Sequence, residues 1–151
     1  MSWFQRLSLT AARIFFGALF LASGLGKLLT GWSAAAYLEG VNGPLAGWFN
    51  ALSGSGFVDG LNAWGQLLIG LALVLGLGVR AASFFGVILM ALYYLAGFAQ
   101  NTAHGLIEEH VIYALLFVVL AAFSAGNVFG LTSRVASSRW GKSRKWLRFV
   151  L

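Results

Sequence analysis

Four apolar runs, separated by polar segments whose charge alternates in sign, constrain this chain more than any single motif. The runs cover about residues 8–29, 59–77, 81–98 and 107–123. Each is close to the roughly 20 residues that a helix needs to cross a bilayer core of about 30 Å. Glu39 and Asp59 lie between the first and second runs, and Glu108 and Glu109 between the third and fourth. Arg6, Arg13 and Arg80 lie at the opposite ends of the runs, and Arg134, Arg139, Lys142, Arg144, Lys145 and Arg148 follow the last. Basic residues are retained on the cytoplasmic side, so the pattern predicts four spans with both termini cytoplasmic.

Composition agrees. With 60% hydrophobic and 9% charged residues, the chain lacks the polar surface that a soluble domain of 151 residues requires. Four spans leave no room for a second domain. The expectation is an all-α integral membrane four-helix bundle over residues 1–133, followed by a basic cytoplasmic juxtamembrane tail over 134–151. The net charge of +6 is concentrated in that tail beside Trp140 and Trp146. A membrane lipid surface is therefore the partner it predicts, and not nucleic acid. The absence of cysteine excludes thiolate catalysis, disulfide exchange and iron–sulfur ligation by this chain alone.

A cleaved signal peptide is the rival reading of the first run. Lys27 follows at once, no clean small-x-small site is present, and removal would place the basic tail on the wrong side. Arg13 and Lys27 are separated by about 21 Å of helix, less than a bilayer core, so at least one must snorkel or find a protein partner. For Arg13 the options are lipid phosphate, helix-end carbonyls, or Ser124 and Asn127, with a headgroup contact as the default. Between the first two spans, Ser33 and Pro44 mark the starts of two short interfacial helices in an outer loop that serves as a lid or docking platform. The short link around Arg80 predicts an antiparallel hairpin of spans two and three. Gly17 and Gly24 share a face of the first span and point to close helix packing.

Ionisable groups gather at the outer side: Lys27, His104, Glu108, Glu109 and His110, preceded by Gln100 and Asn101. Lys27 near a helix carboxyl end and the glutamates near an amino end are each favoured by the helix dipole. A Lys27 salt bridge to Glu108 or Glu109 is one reading, and a binding role for Lys27 is the other. Glu109, His110 and Tyr113 fall within one helical turn of one another, a set able to hydrogen-bond a quinone carbonyl and move its proton. Interface anchoring by His110 and Tyr113 is the alternative. His104 and His110 project about 240° apart on one helix, which disfavours a haem held by this chain alone, and no paired-histidine spacing supports a metal.

The runs RIFFGALFLASGLGKL, GPLAGWF, GLALVLGLGVRAA and LIEEHVIYALLFVVLA together resemble the DoxX/DoxD family. That group includes the small membrane subunit of thiosulfate:quinone oxidoreductase. The resemblance covers about residues 10–131, with Arg13, Gly17, Gly24, Lys27, Pro44, Arg80, Glu109, His110 and Tyr113 at matching positions. It implies a subunit of a quinone-linked oxidoreductase in a prokaryotic cytoplasmic membrane, with thiosulfate or another sulfur compound as donor. On that reading Glu109, His110 and Tyr113 are catalytic, and Lys27 joins them around the quinone headgroup. Thiosulfate is a dianion and Lys27 is the one non-histidine base on the outer side, so an additional protein subunit or a homo-oligomer is implied. The alternative is a non-catalytic accessory subunit of a larger complex, with a transporter as a weaker third option.

Overall fold

The computed structural model describes residues 1–97 and 107–138. Expectations placed on Gln100, Asn101, His104 and the basic residues from Arg139 onward lie outside the described residues. Within them the chain is all-α. Helix α1 spans Trp3–Thr30, α2 Ala35–Glu39, α3 Ala46–Asn50, α4 Gly56–Leu75, α5 Val79–Gly97 and α6 Glu109–Ala122. A short 3-10 turn, Ala125–Asn127, and helix α7, Thr132–Ser137, follow. Three helices, α1, α4 and α5, are long and apolar enough to cross a membrane, while α6 has 14 residues.

Helix α1 begins before the apolar run because Ser2 and Gln5 form a capping box. The Ser2 hydroxyl accepts from the Gln5 amide at 3.2 Å, and the Gln5 side chain accepts from the Ser2 amide at 2.7 Å. The link between α4 and α5 is three residues long. Gly76, at φ 63°, lies against the Arg13 guanidinium and Gly130, where no Cβ fits. The hairpin expected there is formed.

Small residues set the helix pairing. A Cβ on Gly17 would approach Leu73 Cβ to 2.8 Å, and one on Gly24 would meet the backbone of Ala63 and Leu67. Helix α1 therefore lies backbone to backbone on α4. On the other side of the bundle, α5 packs on α6, where Gly86 receives the Phe117 ring. Phe16, Phe20 and Phe117 form an aromatic layer between α1 and α6, with ring centroids 4.7–5.2 Å apart. The outward faces are apolar: Phe15, Leu68, Phe84 and Leu115 are all exposed. That is the distribution expected where lipid replaces water.

The two ends of the bundle differ. At one, Arg13 is 1% exposed and donates to the carbonyls of Ala125 at 2.5 Å and Val128 at 3.0 Å. Helix-end carbonyls thus hold Arg13, which corrects the expected headgroup contact. The Ala125 carbonyl also accepts from the Val128 amide at 3.2 Å and the Val128 carbonyl from Thr10 Oγ1 at 3.4 Å, so the guanidinium is a second donor to each, using the spare lone pairs of a helix end. Arg80 donates to Ser124 Oγ at 2.9 Å at the same end. At the other end, the segment carrying α2 and α3 folds down as a lid. Leu38, Val41 and Phe49 are buried with Ala96 of α5, and Asp59 Oδ1 accepts from the Ala34 amide at 2.8 Å.

Candidate functional site

Asn62 and Gln66 stand one turn apart on α4, in a helix that is otherwise almost wholly apolar. A polar side chain in such a helix turns toward protein and not lipid, and Gln66 is 5% exposed. Its Oε1 accepts from Lys27 Nζ at 2.6 Å and from Ser23 Oγ at 2.8 Å. Its Nε2 donates to the Tyr93 hydroxyl at 2.9 Å, and that hydroxyl donates to Asn62 Oδ1 at 2.7 Å. Three helices, α1, α4 and α5, are joined by this one chain of bonds.

Lys27 also lies 3.3 Å from Ser23 Oγ and over the Trp32 ring, 4.7 Å from its centroid. The expected salt bridge from Lys27 to Glu108 or Glu109 is therefore replaced by an amide oxygen, a hydroxyl and an aromatic face. The cause is the close α1–α4 contact at Gly24, which brings Gln66 beside Lys27. The ammonium then needs no carboxylate from α6.

Glu108 instead meets His110, with Oε1 2.6 Å from Nδ1. Two residues apart on a continuous helix they would point about 200° apart. Glu108 is extended at the α6 cap position, φ −136° and ψ 178°, and this lets it reach back. An ionised carboxylate only accepts, so Nδ1 carries the hydrogen and Nε2 is left to face another group. The imidazole stands edge-on to Tyr93 with centroids 5.4 Å apart. Tyr113, one turn along α6, tilts against Phe16 at 5.5 Å. From the lid, Tyr37 comes close to the same place. Burial, and then the charge of Glu108, raise its phenol above the ordinary value, so it stays neutral across the physiological range.

Between these groups lies a cleft of about 160 Å³. Leu19, Phe20 and Ser23 of α1, Gln66 of α4, Met90 and Tyr93 of α5, and His110 and Tyr113 of α6 line it. Of the residues singled out from sequence, His110 and Tyr113 face the cleft, and Lys27 reaches it through Ser23 and Gln66. Glu109 does not. It is exposed and lines a separate surface depression with Ile107, Glu108 and Ile112, because one helical step carries it about 100° away from His110. Ser23, Asn62, Gln66 and Tyr93 were not singled out, although the Asn62/Gln66 spacing within an apolar run is a readable signal.

A family model described as DoxX matches residues 8–99, more than half of the chain. The chain belongs to the DoxX family. Neither a curated protein nor a solved structure matches it. The match ends before the 131 expected from the resemblance. Within this DoxX chain it covers the Ser23–Lys27–Asn62–Gln66–Tyr93 network, while His110 and Tyr113 lie beyond it. Chemically, the DoxX cleft offers His110 Nε2, the Tyr113 hydroxyl and the second N–H of Gln66 to an oxygen-bearing ligand. None of these three is used by another hydrogen bond among the described residues.

Proposed function

We propose that this DoxX protein is the small membrane subunit of a quinone-linked oxidoreductase and holds the quinone headgroup in the cleft. The convergence of Gln66, Tyr93, His110 and Tyr113 from three helices on one cleft supports this reading. A bound quinone supplies a two-electron, two-proton acceptor. Lys27 and Ser23 fix the Gln66 oxygen and so direct its N–H groups. His110 Nε2 and the Tyr113 hydroxyl bond the ligand oxygen, and His110 holds the proton at Nε2 while Glu108 stabilises the imidazolium. Glu108 thus takes the part first expected of Glu109. Electrons come from a donor on a further subunit, with a sulfur compound such as thiosulfate as the donor class.

The same reading has α6 and its flanks crossing as a fourth span, completing a four-helix bundle. The Arg13–Arg80–Arg134 end faces the cytoplasm of a prokaryotic cell, and the basic tail rests on anionic headgroups. His110→Gln tests the function. The variant should fold and assemble as wild type, and lose quinone-dependent turnover by roughly 10²–10⁴-fold, while Glu109→Gln keeps near-normal turnover. Full turnover in His110→Gln would favour a non-catalytic accessory subunit.

A further inference from the structure

We infer that the cleft admits a one-ring quinone headgroup and excludes a fused two-ring one, an inference that rests on the quinone reading above. The cleft, which is partly open, holds about 160 Å³, and an enclosed apolar cavity of about 150 Å³ holds one benzene ring, so the size limit applies to the part of the headgroup that lies inside the rim. Its inner walls are fixed in place. Phe20 is 4% exposed and locked edge-on against Phe16 and Phe117 at 5.0 and 5.2 Å. Met90 is 2% exposed. Gln66 is held by three hydrogen bonds, to Lys27, Ser23 and Tyr93. A second fused ring would have to displace the aromatic layer or break this network.

The polar groups are disposed to suit one ring as well. Gln66 on α4 and the His110/Tyr113 pair on α6 both line the cleft, so a quinone ring within it meets hydrogen-bonding groups from two helices. The rim on the α1 side consists of Leu19, 48% exposed, and Ser23, also exposed. An alkyl tail leaves past Leu19 into lipid without entering the core. Met90 and Tyr93 line the cleft from the α5 side, and Met90, which takes no part in the hydrogen-bonded network, is the one whose truncation enlarges the cleft without breaking that network.

The test is equilibrium binding to the full chain in lipid nanodiscs, with a methyl-benzoquinone and a methyl-naphthoquinone that carry the same decyl chain. The benzoquinone should bind wild type about tenfold tighter or more, as expected when one ligand overfills an otherwise matched pocket. Met90→Ala should narrow that ratio by tightening the naphthoquinone, and Met90→Leu, which keeps the volume, should preserve it. Equal or tighter naphthoquinone binding by wild type would overturn the inference and leave the quinone reading standing, and this comparison holds even if Met90→Ala does not fold. Unchanged affinities for both probes in a folded Met90→Ala would show that cleft size sets no limit and overturn the inference too. Failure of both probes to bind wild type would instead remove the quinone reading itself.

Discussion

Two cations buried in or near an apolar bundle, Arg13 and Lys27, both bond neutral oxygen, while the buried Arg13 Nε has no partner among the described residues. Arg13 uses the Ala125 and Val128 carbonyls, and Lys27 uses the Gln66 amide oxygen. Neither meets a carboxylate among the described residues: at the lid end Glu108 pairs with His110, Asp59 accepts from the Ala34 amide and Glu39 from Ser53 Oγ. For Lys27 this leads to a direct expectation. Lys27→Met and Gln66→Leu should each lower thermal stability, and the double variant should lose less than the sum, with a coupling of about 0.5–3 kcal/mol. Lys27→Met combined with Glu109→Gln should simply add. Thermal unfolding of the set in one detergent checks both statements. Coupling to Glu109, or additivity with Gln66, would show that Lys27 is held otherwise.

The α1–α4 pair rests on glycines that admit a neighbouring backbone, whereas in the α5–α6 pair Gly86 admits the Phe117 ring. Gly24 faces Ala63 and Leu67 closely, whereas Gly65 on α4 has open space where a Cβ would lie. Gly24→Ala should destabilise by about 1–3 kcal/mol through overpacking. Gly65→Ala should be neutral or slightly stabilising through helix propensity, and unfolding midpoints measured side by side will distinguish them. The pairing face was legible in the spacing of Gly17 and Gly24, as were the lid helices after Ser33 and Pro44 and the hairpin at Arg80, because each depends on local sequence. The site was less legible. His110 and Tyr113 could be read as one face of a helix. The choice between Glu108 and Glu109 depended on an extended cap residue that helical periodicity does not describe. Gln66 and Tyr93 acquire meaning only when α1, α4 and α5 are brought together, and a search guided by charge passes over neutral amides.

In the whole molecule, the cleft lies where the two helix pairs, α1 with α4 and α5 with α6, meet beneath the lid. The aromatic layer of Phe16, Phe20 and Phe117 closes it toward the arginine-rich end. Tyr37 of α2 lies within electrostatic reach of Glu108 and stays a neutral phenol, so the carboxylate has no second anion beside it from that residue. This arrangement gives an amphipathic ring a place with polar groups from two helices and an apolar rim at Leu19, and it ties the lid, the histidine and the cleft into one unit. The most direct measurement is photo-crosslinking of a decyl-azidobenzoquinone to the protein in native membranes, followed by peptide mapping. Labelling on cleft residues such as Leu19, Ser23 and Met90, competed by unmodified benzoquinone and reduced in His110→Gln, is the predicted result. Competable labelling confined to the outward lipid faces, or none above that of an unrelated membrane protein, would contradict the account.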